Sequence, residues 1–215
     1  MNRRLFLLGL VSLAAAPASA QPVWGTAWKR VPGVTVVAAS DGDPRLGAVT
    51  EAVEFWNQTL TGLGSAFRLG PIARVNGSLP STELRRMSDS ILGSSGTPIP
   101  DVVRTWPGDL YVVLSDGDFI SFSSHWPNAQ KALVGIRTPN TAPLMFPNVA
   151  RNVIAHEIGH AIGLGHNPDP RNLMCGRPAS CRPDAFRSNT PQFFPLTDAE
   201  KAELLRMYPA DWHPG

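Results

Sequence analysis

Apolar residues in this chain fall into two kinds of block, short unbroken runs and stripes at helical spacing. Val34-Thr35-Val36-Val37-Ala38 and Leu110-Tyr111-Val112-Val113-Leu114 are unbroken runs and predict short buried strands. Asp43-Pro44 reads as an N-cap followed by a first-turn proline. The helix it opens carries Leu46, Val49, Val53, Trp56 and Leu60 as its stripe and ends at Gly62 and Gly64. Phe67, Leu69, Ile72 and Val75 suggest a second strand, interrupted at Gly70-Pro71. Ser81 caps a modest helix with Leu84, Met87 and Ile91, stopped by Gly93, and the stretch from there to Pro107 is turn-rich. Asp116-Gly117-Asp118 turns the chain, and Phe119-Ile120-Ser121-Phe122-Ser123 follows with the period of two of a half-buried strand. A further strand is expected from Ala132 to Arg137. After a proline-rich link, Asn148 caps a helix faced by Val149, Val153, Ile154, Ile158, Ala161 and Ile162. Thr197-Asp198-Ala199-Glu200 has the form of a capping box for a last helix with Leu204, Leu205, Met207 and Tyr208 on its apolar side. This order predicts an α/β or α+β sheet with helices on one face.

The first residues do not belong to that fold. Arg3 and Arg4 precede an apolar stretch from Leu5 to Ala16, and Ala18-Ser19-Ala20 has the A-x-A form of a cleavage site, so residues 1–20 read as a signal peptide. Arg3-Arg4-Leu5-Phe6-Leu7 also resembles the twin-arginine export signal. The apolar stretch is too short to span a bilayer, and no later segment is long enough. The protein is therefore expected to be exported, to the periplasm or the medium, with residues 21–215 as one domain. The leader holds two of the 19 basic residues and no acid, which leaves 17 Lys and Arg against 17 Asp and Glu. That balance lacks the basic excess of a nucleic-acid binder.

The chemistry concentrates in one run. From His156 to His166 the chain reads H-E-x-x-H-x-x-G-x-x-H, with His156, Glu157, His160, Gly163 and His166 at the fixed positions. Residues four apart share a helix face, so His156 and His160 point at one metal, with Glu157 beside them. Gly163 lets the chain leave the helix with φ > 0 and bring His166 round as a third ligand. Three nitrogen ligands leave the fourth tetrahedral position open, as in a catalytic zinc site. Glu157 is placed to act as the general base. Alternatives are a catalytically silent zinc-binding or adhesive module, and a thermolysin-like peptidase with a remote glutamate as third ligand. Cys175 and Cys181 form an even pair close in sequence, expected to be a disulfide in an oxidising compartment.

The histidine run, followed by Asn172-Leu173-Met174, resembles the metzincin clan of zinc endopeptidases. His166-Asn167-Pro168-Asp169-Pro170 and the closing Leu196-Thr197-Asp198 to Met207-Tyr208 helix are most similar to matrixins. The resemblance implies a single catalytic domain with a twisted five-stranded sheet, mostly parallel with one antiparallel edge strand, an active-site helix and a C-terminal helix. It implies one catalytic zinc held by His156, His160 and His166, with Met174 in a turn beneath it. Its substrate is a peptide or protein lying along an edge strand, here Phe119 to Ser124, acted on by a monomer. His125 and Trp126 close that strand, either bordering the cleft or as an ordinary strand end. Asp116 and Asp118 read equally as a calcium loop or a hairpin turn. The chain departs from matrixins at Asn167, where they usually have serine, and Gly176 stands where the astacin and serralysin branches have a tyrosine ligand, so that ligand is not expected. No propeptide switch is expected, and with His125 the one histidine before the motif, a second zinc site is not carried over.

Overall fold

The computed structural model describes residues 27–92, 96–176, 187–188 and 190–215. The predicted leader and Cys181 lie outside the described residues. Five strands, β1 (Val34–Ala38), β2 (Ile72–Asn76), β3 (Leu110–Leu114), β4 (Phe122–Trp126) and β5 (Lys131–Ile136), form one sheet in the order β2-β1-β3-β5-β4. The first four in that order run parallel, and β4 pairs antiparallel with β5 at the edge. This is the expected mixed architecture, five strands with one antiparallel edge.

Helices cover both faces of the sheet, which corrects the expectation of one. On the first face, α1 (Leu46–Gly62) and α4 (Pro147–Ala161) pack with Val36, Ala38, Val112, Leu114, Val134 and Ile136. On the other, Leu84 and Met87 of α2 (Ser81–Leu92) and Val103 of α3 (Asp101–Thr105) meet Val37, Tyr111, Val113 and Leu133. Successive side chains of a strand point to opposite faces, so a strand covered on both sides must be apolar throughout. All five residues of β1 and all five of β3 are buried. The short helix α3 lies within the stretch read as turn-rich, because five residues are too few to show a period.

The edge strand runs three residues later than its local pattern predicts, from Phe122 to Trp126 rather than from Phe119 to Ser123. Its register is set across the sheet. Phe122 pairs with Gly135 of β5, and a Cβ at Gly135 would lie 2.5 Å from the Phe122 ring. The missing side chain gives the ring its seat, and the pairing carries His125 and Trp126 into the strand opposite Ala132 and Lys131. Two predicted caps are likewise reassigned. At α4, Pro147 takes the first helical turn and Phe146 the N-cap, which releases Asn148 from capping. The helix α1 starts at Leu46, and the Asp43 carboxylate accepts from the Arg45 amide at 2.9 Å just before it. The capping box of α5 (Asp198–Met207) forms as expected, with both bonds between Thr197 and Glu200 present.

Arg45 joins these parts. Its side chain is 3% exposed and binds both Asp43 oxygens, at 2.9 and 2.6 Å. It also donates to the carbonyls of Ser115 (2.8 Å) and Arg137 (2.7 Å), just beyond the ends of β3 and β5. Burial pushes the Asp43 carboxyl up, but the Arg45 hydrogen bonds and charge outweigh it and the net shift is downward. Asp116 and Asp118, considered above for calcium, each pair with an arginine, Arg45 at 3.5 Å and Arg137 at 3.0 Å. Arg45→Ala leaves buried acceptors without a donor and should cost about 3 kcal/mol or more in urea unfolding. Asp43 has a folded pKa below its unfolded one. Its contribution is therefore present above about pH 4 and lost on further acidification, so the gap to the variant should narrow there.

Candidate metal centre

The helix α4 is held rigidly from behind. The Trp56 indole of α1 donates to the Ala155 carbonyl at 2.9 Å. At its C-terminal end, where helix carbonyls have no intrahelical donor, the Trp28 indole reaches Ala161 (2.8 Å) and the Tyr208 hydroxyl reaches Ile162 (3.0 Å). Residues near both ends of the described chain thus close the same helix end. Gly163 then takes φ +104 and turns the chain out of the helix, as its place in the motif predicts.

That turn brings His166 back to His156 and His160. Its Nε2 lies 3.3 Å from Nε2 of His156 and 2.9 Å from Nε2 of His160. The Nδ1 of His156 faces the Leu173 carbonyl at 2.7 Å, and that of His160 faces the Leu164 carbonyl at 2.8 Å. A carbonyl only accepts, so both Nδ1 atoms carry the proton and both Nε2 atoms present lone pairs inward. Burial lowers the pKa of His156 to about 4 and that of His160 well below the usual histidine value, so both rings are neutral near pH 7. Nitrogens about 2.0–2.1 Å from a shared tetrahedral zinc lie roughly 3.3 Å apart, within a few tenths of an ångström of the spacings here. Neutral imidazoles, inward lone pairs and carbonyl-fixed tautomers are the donor set zinc takes. Among the described residues this trio is the one group of three or more potential ligands that could hold a metal ion.

Around the trio the chain is packed closely. Glu157 follows His156 on α4, is 7% exposed, and has its pKa pushed up to about 8 by burial. Met174 is fully buried under the helix. A Cβ at Gly159 would lie 2.5 Å from the Met174 sulfur and 2.8 Å from the Trp56 ring, so the glycine lets the turn approach α4. Asn167 and Gly176, where the sequence differs from matrixins and from other metzincin branches respectively, each find a structural reason. A Cβ at Gly176 would overlap the His166 ring, which fills the space a larger residue would need. Asn167 donates its side-chain amide to the buried Glu200 carboxylate of the α5 capping box. Its backbone pairs with the Met174 carbonyl (2.9 Å) and the Gly176 amide (3.1 Å), tying the third-histidine loop to the turn below it.

The remaining predicted residues fall outside the trio. His125 is within β4 and its pKa is lowered by burial. The Trp126 indole donates to the Thr97 carbonyl at 2.6 Å. Cys175 is 7% exposed in the turn after Met174. Sequence reasoning missed the two carbonyls that orient His156 and His160, because a backbone oxygen has no signature in residue type. It also missed Gly176 as the seat of His166, a fit made only once the loop folds back on the ring.

No family model matches the chain. Among solved structures, archaemetzincin from Methanopyrus kandleri is similar at 17% identity and a TM-score of 0.49, over 83% of this chain and 96% of that one.

Replacing Gly176 tests the seat of His166. Gly176→Ala should displace the imidazole and weaken zinc binding by about ten- to a hundredfold, the range found when a ligand's support is lost. Competition with a metal-binding dye measures it, and wild-type affinity would show that the ring does not depend on that space.

Proposed function

We propose that this chain is an exported, zinc-dependent endopeptidase of the matrixin type. The carrying observation is the convergence of His156, His160 and His166 through inward-facing nitrogens, with the buried Glu157 adjacent on the same helix. When bound, zinc supplies Lewis acidity, lowering the pKa of a water and polarising a peptide carbonyl.

The chain's own residues then divide the work. The three histidines hold the ion, two of them kept in register by the Leu173 and Leu164 carbonyls. Burial alone holds Glu157 protonated to about pH 8, and the positive charge of a zinc ion beside it would favour the carboxylate that a general base requires. Glu157 takes the proton of the attacking water and later passes it to the departing amine nitrogen. Met174, beneath α4, supports the ligand helix through its contact at Gly159. The peptide lies antiparallel to β4, the antiparallel edge of the sheet, through main-chain hydrogen bonds. The revised strand, Phe122–Trp126, replaces Phe119–Ser124 in that role. In the same reading, residues 1–20 direct export, residues 21–215 are the catalytic domain of a monomer, and Cys175–Cys181 is a disulfide that braces the segment after Met174. The described residues contain no helix long and apolar enough to cross a membrane.

A quenched peptide library supplies the test. Wild type should cleave it, lose activity to a chelator and regain it with zinc, while His166→Ala stays inactive. Glu157→Gln keeps the side chain's shape without its basicity. It should bind zinc as wild type does and lose at least about a hundredfold in turnover. Near-wild-type turnover would remove Glu157 from its role. Absent hydrolysis under all conditions, with zinc still bound, would favour the catalytically silent module.

A further inference from the structure

Positions 148, 152, 156 and 160 follow one another at one-turn spacing along α4, two asparagines and then two ligand histidines. Asn148 is 2% exposed and Asn152 fully buried. Neither caps the helix. A buried amide inside a helix is unfavourable unless bonded, so its presence calls for partners. Apart from the Asn148 carbonyl one turn back, those partners lie some forty positions away in sequence. Asn152 Nδ2 donates to the Gln192 carbonyl at 2.9 Å and to the Asn148 carbonyl at 2.8 Å, while its Oδ1 accepts from the Phe194 amide at 2.9 Å. Asn148 Oδ1 accepts from the Gln192 amide at 2.9 Å.

The residues so held lead straight to the metal centre. The Pro195 carbonyl, next after Phe194, accepts from the Leu173 amide at 2.9 Å. The Leu173 carbonyl accepts from His156 Nδ1 at 2.7 Å. The bonds close a ring: Asn152, residues 194 and 195, Leu173, His156, and one turn of α4 back to Asn152. We propose that Asn152, assisted by Asn148, is a positioning residue of this centre. Through residues 192–195 it sets the Leu173 carbonyl that orients His156, and it fixes those residues as a wall beside the centre. The effect on His156 needs only that the trio binds a metal. The wall as a surface that substrate meets rests on the endopeptidase reading.

Cobalt(II) binding to the full chain, followed by its visible absorption and by competition with a chelator, separates this role from simple stabilisation. Asn152→Ala should weaken Co2+ by about ten- to a hundredfold and alter its visible bands. Asn57→Ala is the control. Its amide brackets Leu69 from α1 in the same way, at 3.1 and 2.8 Å, and these bonds do not join the ring that leads to His156. That variant should lose thermal stability and keep its cobalt affinity. Wild-type affinity in Asn152→Ala, or an equal loss in Asn57→Ala, overturns the proposal. Should Asn152→Ala fail to fold, Asn148→Ala, which removes the bond to Gln192 and one from Arg151 but leaves the Asn152 side chain in place, should still lower affinity severalfold, and no change there overturns it as well. Against the peptide library, Asn152→Ala should change the cleavage preference, and an unchanged preference removes the wall. Failure of the wild type to cleave any peptide strikes at the endopeptidase reading alone, since the cobalt titration still decides the role of Asn152.

Discussion

One imidazole nitrogen is set 2.9 and 3.3 Å from two others whose lone pairs are fixed inward, a spacing that a shared cation or a proton must bridge. The rest of the fold enforces that placement. The helix bearing two of the rings is clamped between α1 and the sheet, and its last carbonyls are taken by Trp28 and Tyr208. The rings cannot escape by exchanging tautomers, because each Nδ1 already serves a carbonyl. Metal affinity and folding are therefore coupled: whatever holds the rings in register strengthens binding, and a bound ion returns stability to the fold.

The strands β1 and β3 are readable to the residue because burial on both faces leaves an unbroken apolar run with sharp ends. The edge strand is less legible. Its alternation continues from Phe119 past Phe122, and nothing local says where pairing begins. The start is decided by the fit of the Phe122 ring over Gly135, a contact across the sheet. Cap residues mislead for a related reason. Asp43 and Asn148 have the right side chains for helix starts, yet the structure uses one to hold Arg45 and the other to hold Gln192. A short polar side chain near a helix end announces a hydrogen bond without saying to what.

The same division runs through the site. The ligand set is legible because the spacing of His156, His160 and Gly163 is local geometry, and a left-handed glycine is the natural way to bring His166 back. The support of that set is not legible. It comes from the backbone oxygen at 164, local to the motif but without a signature in residue type, and from the oxygen at 173, the glycine at 176 and residues 192–195, which tertiary packing brings to the helix.

The departures at Asn167 and Gly176 show how the support is distributed. Glu200 closes the capping box of α5 with one oxygen and receives the Asn167 amide with the other, and it is 4% exposed. A serine at 167 is shorter and would not span the same gap without movement of the loop or of α5. Gly176 belongs to the same adjustment, since it bonds to Asn167 and leaves its space to the His166 ring. The third ligand is thus placed by the C-terminal helix acting through one buried amide, and the first by Asn152 acting through another. Two amides, each bound to chain far from its own position, let a centre whose ligands span only eleven residues draw its precision from the last third of the chain.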